Sequence, residues 1–275
     1  MLKKLLKYDF LSIKRFVIPL LLLTPAVGVV FGLIGYAANR IESQLIQMGL
    51  MTMYVFGMIA MVLSVALLPV LLIARYYSGM FGDAGYVTLL LPVSRKQLLL
   101  SKVLYALILM AGYLVVAFFS LGFAFNASRT IGSGHTIFYA FRLTFNSVKG
   151  LSFLVLGGFN AAVVVEMVLY VVFLLAFIIN LFYTGVTLGA AIFQGKTKVV
   201  GAIGFCVASY LIWSVIKTAI EAIPTAIIVT SDAETLLNSP FFLIFWIAET
   251  ALYACFSVLL FFLNSRLIDR KLNLT

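Results

Sequence analysis

Six long apolar stretches constrain the fold more than any other feature of the sequence. They cover residues 16–38, 50–74, 103–125, 163–193, 199–222 and 241–264. A helix needs about 20 consecutive apolar residues to cross the hydrocarbon core of a bilayer. Because the stretches are continuous rather than alternating, they predict helices and exclude a β-barrel. We therefore predict an all-α polytopic membrane protein, with six transmembrane helices in a single transmembrane domain, 1–275.

The composition excludes a water-soluble protein. Hydrophobic residues make up 64% of the chain and charged residues 10%, whereas a soluble domain has roughly 45–50% apolar and about 25% charged residues. The chain has two cysteines, Cys206 and Cys255, and both lie in apolar stretches. They do not indicate a disulfide framework.

The distribution of Lys and Arg predicts the orientation. If the N-terminus is cytoplasmic, most of the 19 Lys and Arg residues lie in cytoplasmic segments or near their ends. Cytoplasmic loops carry an excess of these residues. We therefore expect both termini in the cytoplasm, which explains the net charge of +10 without a nucleic-acid partner.

Three segments between the spans have distinct patterns. Residues 1–15 are amphipathic and predict an interfacial helix, residues 75–102 form a long cytoplasmic segment, and residues 126–162 form an outer loop. The apolar side of the interfacial helix carries Leu2, Leu6, Phe10 and Ile13, and the basic side carries Lys3, Lys7 and Lys14.

The cytoplasmic segment combines turn signals with an apolar run. Gly79, Gly82 and Gly85 allow tight turns, and Pro92 disfavours helix before it. Ser94 and Gln97 form a capping box that predicts the start of the next helix. Between these signals lies the apolar run 86–91, on the water side of the membrane. An exposed apolar run of this kind indicates a docking surface.

This segment resembles a known family. The runs GYVTLLLPVS at 85–94 and LLLSK at 98–102 are similar to the pattern in permease subunits of bacterial ATP-binding-cassette (ABC) exporters of the type-2 class. The run LLKYDF at 5–10 resembles the N-termini of such permeases in Gram-positive bacteria. The family usually has an acidic residue directly before the Gly-Tyr pair, where this chain has Ala84, with Asp83 one position earlier.

The resemblance implies a transport subunit in a bacterial plasma membrane. It implies a second permease copy, identical or different, and a separate nucleotide-binding subunit that carries ATP and magnesium. This chain would then hold no cofactor and would not be an enzyme. The cytoplasmic loop would include a coupling helix that docks on the ATPase. The family exports bacteriocins, amphipathic toxin peptides and drugs, and the aromatic content of this chain, 15% of its residues, suits amphipathic or antimicrobial peptides. The docking residues implied in this sequence are Asp83, Gly85, Tyr86, Leu89, Leu90, Pro92 and Arg95.

Charged residues inside the spans are the second set of candidates. Glu166 and Glu249 lie in apolar stretches, and Lys217 lies at a similar depth in the fifth. A charged residue at the centre of a span costs about 2.5–3.5 kcal/mol on insertion scales and indicates function by default. Either these groups line the translocation path, or they form interhelical contacts such as a Glu166–Lys217 pair.

Other motifs indicate no chemistry. The run AAIFQGKT at 190–197 matches a relaxed P-loop pattern, but it continues an apolar helix rather than following a strand, so we do not expect nucleotide binding. His135 is the single histidine, and we expect no metal site. The GxxxG patterns at 28–32 and 185–189 predict close helix packing within one chain.

Two other functions fit the sequence. An ion-coupled secondary transporter would use Glu166 and Glu249 and would tolerate substitutions in the cytoplasmic loop. A membrane scaffold or immunity protein would bind partners and move nothing.

Overall fold

The computed structural model describes residues 2–82, 93–130, 139, 142–144, 146, 161–193, 197–230 and 241–271. Within these ranges the long elements are helices, and no strand occurs. They are α1 (Leu2–Ala38), α2 (Gln44–Met80), α3 (Arg95–Thr130), α4 (Ala161–Ile192), α5 (Thr197–Thr230) and α6 (Phe241–Lys271). The all-α prediction is confirmed for this part of the chain.

Each helix contains one of the six predicted spans. The fourth predicted span differs by one residue, because it includes Phe193, which follows the last residue of α4. All six are long and apolar enough to cross a membrane. The chain is therefore a multi-pass membrane protein. The first two helices have 37 residues each, about 55 Å at 1.5 Å per residue, against about 30 Å for the hydrocarbon core. They extend well beyond the apolar stretches that predicted them.

The segment predicted as an interfacial helix is continuous with the first span. Residues 2–15 form the first turns of α1. Their two sides differ as the sequence predicts: Ile13 is buried and Leu6 and Phe10 are partly buried, whereas Lys7 and Lys14 are exposed. The apolar side of this segment therefore packs against protein.

The chain divides into two compact units, and helices α1, α2 and α3 contribute residues to both. The first unit comprises the described residues of Met1–Phe10, Leu72–Leu107 and Val155–Thr275, and the second those of Leu11–Leu71 and Ile108–Leu154.

In the first unit, α4 packs closely on α5. A Cβ atom added at Gly189 would lie 2.4 Å from the backbone nitrogen of Ala202, and one added at Gly185 would lie 3.1 Å from the backbone of Cys206. As the residue number increases along α4, the residue number of the contact partner on α5 decreases. The two helices are therefore antiparallel. The second GxxxG pattern thus mediates packing within the chain.

On another side, α4 packs against α6, and the two helices run parallel. Hydrogen bonds join Asn180 to Ser257 at 3.0 Å, Thr184 to the carbonyl oxygen of Leu260 at 3.5 Å, and Tyr170 to Glu249 at 3.2 Å. The paired residues are 77, 76 and 79 positions apart. This nearly constant separation fixes which turns of α4 and α6 lie side by side.

In the second unit, the first GxxxG pattern packs α1 on α3. A Cβ atom at Gly28 would lie 2.9 Å from the carbonyl oxygen of Ser120, and one at Gly32 would lie 3.2 Å from the Cα of Ala124. Only glycine allows these backbones to approach so closely.

A chain of hydroxyl groups crosses the same unit. Tyr113 of α3 shares a 2.8 Å hydrogen bond with Thr24 of α1 and donates to Ser64 of α2 at 2.9 Å. Hydroxyls inside an apolar bundle need partners, and these three side chains from three helices supply them to one another.

The predicted cap of α3 is confirmed. The backbone N–H of Gln97 donates to Ser94 Oγ at 3.4 Å, and that of Leu98 donates to the Ser94 carbonyl oxygen at 3.1 Å. Ser94 is thus the N-cap of a helix whose first residue is Arg95.

Cys206 and Cys255 are both free thiols.

Candidate functional site

Most of the docking residues implied by the resemblance fall on a segment that is not described. Asp83, Gly85, Tyr86, Leu89, Leu90 and Pro92 lie outside the described residues. Their role stays a prediction. The seventh, Arg95, is described, and so are both helix ends that flank this segment.

Arg95 binds the C-terminal end of α6. Its Nη1 donates to the carbonyl oxygens of Ile268 at 2.9 Å and Asp269 at 3.1 Å. The Asp269 carboxylate lies 3.8 Å away, and both side chains are substantially exposed. A cation at this position satisfies the last carbonyl groups of a helix and complements its dipole. Arg95 therefore ties the start of α3 to the end of α6.

On the N-terminal side of the segment, Tyr76 is fully buried near the end of α2. Its hydroxyl shares a 3.0 Å hydrogen bond with Thr187 of α4 and accepts one from Asn264 Nδ2 of α6 at 3.4 Å. Its ring stacks on Tyr183 of α4, with ring centroids 3.8 Å apart and planes inclined by 6°. One tyrosine thus links α2 to α4 and α6.

A buried ion pair links α3 to α1. Lys102 pairs with Asp9, and their side chains are only 13% and 12% exposed. Ser101 donates a second hydrogen bond to Asp9, at 3.2 Å from Oδ2. The ring of Phe10 meets that of Tyr105 edge to face, with centroids 6.3 Å apart. The first turns of α1 are therefore fastened to the first turns of α3.

Tyr105 adds to the contacts at Lys102. The Lys102 ammonium lies 5.9 Å from the centroid of the Tyr105 ring, and the hydroxyls of Tyr105 and Tyr183 are both buried with no hydrogen-bond partner among the described residues. We call the whole set the loop-anchor network. It consists of Asp9, Tyr76, Lys102, Tyr105, Tyr183, Thr187 and Asn264.

The loop-anchor network is not evident from the sequence pattern. Its members are far apart in the chain: the Asp9–Lys102 contact spans 93 residues and the Tyr76–Asn264 contact spans 188. A signal was nevertheless present, because tyrosine, threonine and asparagine interrupt otherwise apolar stretches. Polar side chains inside spans usually bond across helices.

The intramembrane carboxylates lie near the N-terminal ends of α4 and α6. Glu249 Oε1 accepts hydrogen bonds from Tyr253 at 2.9 Å and from Tyr170 at 3.2 Å. Glu166 lies one turn before Tyr170 on α4, and its Oε1 is buried with no hydrogen-bond partner within the described ranges. This oxygen does not contact Lys217.

The register between α4 and α5 explains why Oε1 of Glu166 accepts no hydrogen bond from Lys217. The contact of Phe177 with Trp213, whose centroids lie 4.3 Å apart, sets the antiparallel alignment near them. Lys217 lies four residues beyond Trp213 and Glu166 eleven before Phe177. They are thus about seven residues, roughly 10 Å, apart along the helix axes.

Among the described residues, no group of three or more His, Cys, Asp or Glu side chains could hold a metal ion. His135 lies outside them.

The sequence matches no protein-family model, no curated protein and no solved structure.

Proposed function

We propose that this chain is the membrane permease subunit of an ATP-driven ABC exporter. It moves amphipathic or antimicrobial peptides out of the cell, and a separate nucleotide-binding subunit hydrolyses the ATP with magnesium. One observation carries the proposal: polar contacts, buried at Tyr76 and Lys102 and more exposed at Arg95, fasten both flanks of the 83–92 segment to the rest of the first unit. Tyr76 lies on one side of this segment, and Arg95 and Lys102 on the other.

A coupling loop must transmit force, and the loop-anchor network suits that task. A segment joined to the bundle only by its two chain ends would move without displacing the helices. Here a push on the segment acts through Tyr76 on α4 and α6, and through Lys102 on α1. Removing one partner of a buried ion pair costs about 3–5 kcal/mol because it strands the other charge, so separation of Lys102 from Asp9 is disfavoured.

The same proposal specifies the docking segment, the membrane topology and the assembly of the chain. The 83–92 segment contains the coupling helix and docks on the ATPase through its apolar run. The first turns of α1 act as the interfacial connecting helix. Both termini lie in the cytoplasm of a bacterial cell, the chain crosses the plasma membrane, and it functions as a dimer with a second permease copy. The chain itself carries no catalytic group and no cofactor.

One observation favours a second candidate, an ion-coupled secondary transporter. Glu249 accepts two tyrosine hydroxyls inside an apolar span, and Glu166 has a buried oxygen that no described residue satisfies. Intramembrane carboxylates mark ion and proton pathways in many transporters. In that case the carboxylates would be essential and the 83–92 segment dispensable.

The test is purification from native membranes in a mild detergent, with mass spectrometry of the partners and an ATPase assay. The loop variant is Tyr86→Ala/Leu90→Asp. The matched control is Leu45→Asp, which introduces the same charge at an apolar residue that is 84% exposed at the start of α2.

We expect a stoichiometric nucleotide-binding subunit with the native chain and with Leu45→Asp, and its loss with the loop variant. A chain that purifies without an ATPase under all mild conditions would refute the exporter assignment. Transport that then depends on Glu166 and Glu249 would establish the second candidate. A partner-dependent function that survives without ATPase activity would instead indicate an immunity or scaffold protein.

A further inference from the structure

We infer that the N-terminal ends of α4 and α6, with the facing turns of α5, form a binding site for a cationic side chain of the cargo, a lysine ammonium or an arginine guanidinium. This inference rests on the proposed export of peptides and specifies their charge. We call it the aromatic–carboxylate site. It consists of Glu166, Tyr170, Trp213, Trp246, Glu249 and Tyr253.

Aromatic rings from three helices form a connected cluster that includes both tyrosines bonded to Glu249. Tyr170 of α4 stacks on Trp246 of α6, with centroids 5.7 Å apart and planes inclined by 12°. Tyr253 lies 5.7 Å from Tyr170, nearly perpendicular to it, and 5.8 Å from Trp213 of α5. Faces of tryptophan and tyrosine rings attract organic cations, with the energy increasing when water is excluded.

The carboxylate of Glu249 is held in a fixed position. Both tyrosine hydroxyls donate to the same oxygen, Oε1, which leaves Oε2 for another donor. The side chains of Tyr170, Trp246 and Glu249 are partly exposed, whereas Tyr253 is buried. The first three side chains are therefore accessible to a ligand.

The second carboxylate lies toward the same end of the α4–α6 pair. The pairs that align α4 with α6 are 76 to 79 positions apart, so Glu166 is level with residues 242–245, one to two turns before Glu249. Its buried Oε1 has no hydrogen-bond partner in the described part of the chain. Buried polar groups are generally hydrogen-bonded, so this oxygen is able to accept from a water or a ligand.

The charge balance favours a cation. The charged residues along 161–177 of α4, 206–220 of α5 and 241–257 of α6 are Glu166, Lys217 and Glu249. Lys217 lies one turn beyond Trp213, which contacts Tyr253, and is therefore near the level of Glu249. One ammonium group does not balance two carboxylates in an apolar span. A cargo cation restores neutrality, and the rings accept the apolar stem of a lysine or arginine side chain.

The tryptophans provide a direct readout. The chain contains two tryptophans, Trp213 and Trp246, and both belong to the site. The experiment uses the full-length chain, purified without any ATPase in an uncharged detergent. The probe is an amphipathic leucine–lysine peptide of about 20 residues, long enough to form a full helix, that carries a dansyl group. Energy transfer from tryptophan to dansyl measures binding, and a leucine–glutamate peptide of the same pattern measures apolar partition alone.

We expect saturable energy transfer with the leucine–lysine peptide and only background transfer with the leucine–glutamate peptide. Glu249→Gln keeps an acceptor for both tyrosine hydroxyls but removes the charge, and should weaken binding about tenfold, the change expected for a lost charge contact of this kind. Glu166→Gln should also weaken it. Glu42→Gln is the matched control, because Glu42 is an exposed carboxylate between α1 and α2, and should leave binding unchanged.

Three results would overturn the inference. The first is equal binding of the leucine–lysine peptide by the native chain and Glu249→Gln. The second is equal affinity for the two peptides. The third is a change in tryptophan emission, abolished by Glu249→Gln, on transfer into phosphatidylethanolamine vesicles but not phosphatidylglycerol vesicles, which would assign the site to a lipid ammonium. Since no ATPase is present, failure here leaves the exporter proposal standing, and failure of that proposal leaves this binding measurement valid.

Discussion

Breaking the Asp9–Lys102 ion pair should destabilise the first unit strongly. Both side chains are nearly buried, with 12% and 13% exposure, so neither charge recovers full hydration when its partner is removed. Asp9→Asn or Lys102→Met alone should cost about 3–5 kcal/mol, the usual loss when one partner of a buried pair is removed. Lys102→Met keeps the hydrogen bond from Ser101 to the Asp9 carboxylate but removes its cationic partner.

The double variant Asp9→Asn/Lys102→Met separates this effect from general damage. It removes both charges together, so no isolated buried charge remains. Its loss of stability should be smaller than the sum of the two single losses by roughly 0.5–3 kcal/mol, the range of coupling found for residues in direct contact. A matched control is Asp269→Asn, because that carboxylate is 49% exposed and an exposed pair contributes about 0–1 kcal/mol.

The assay is unfolding by a denaturing detergent, followed by far-ultraviolet circular dichroism and tryptophan emission. Single variants within about 1 kcal/mol of the native chain, the value for an exposed pair, would refute the reasoning. Strictly additive losses in the double variant would also refute it, because they would show that the two groups do not interact.

Two further substitutions test the packing of the first unit. Gly189→Ala should destabilise the fold by about 1–3 kcal/mol, typical of overpacking, because the new Cβ would lie 2.4 Å from the facing backbone of α5. The control is Gly204→Ala, where nothing lies within 4 Å of the new Cβ. It should be neutral or slightly stabilising in the same unfolding assay. Tyr76→Phe leaves Thr187 and Asn264 without their shared hydroxyl partner and should cost about 1–3 kcal/mol; an unchanged midpoint would show that these hydrogen bonds do not hold the end of α2.

The membrane class and the number of spans follow from the sequence because the bilayer imposes a simple requirement on it. A stretch of about 20 apolar residues has almost no alternative to a spanning helix. The lengths of the helices follow less directly. Residues 2–15 and 75–80 carry charged and aromatic side chains yet continue α1 and α2, since helical hydrogen bonding does not stop where the apolar stretch stops.

The cap at Ser94 was predictable because capping is local: the signal lies within four residues of the helix start. The packing partners of the GxxxG patterns were predictable in kind but not in identity. A glycine stripe indicates close approach, whereas only the folded chain shows that Gly28 faces Ser120 and that Gly189 faces Ala202.

The loop-anchor network and the aromatic–carboxylate site could not be assembled from the sequence. Most contacts in them join different helices; the exceptions are the Tyr253–Glu249 bond within α6 and the Lys102–Tyr105 contact within α3. In spans that are apolar on all sides, periodicity does not show which face turns inward. The sequence identified Glu166 and Glu249 as costly charges, but it gave no indication that Tyr170 and Tyr253 would hold Glu249.

Site-specific photocrosslinking in native membranes tests the central claim most directly. A photoreactive phenylalanine derivative replaces Leu90 in the proposed docking segment or, as a control, Leu45 at the start of α2. We predict that position 90 crosslinks to a nucleotide-binding subunit, that ATP analogues change the yield, and that position 45 gives no such product. Crosslinks from position 90 only to lipid, to this chain or to a protein without a nucleotide site would contradict the coupling of this permease to ATP hydrolysis.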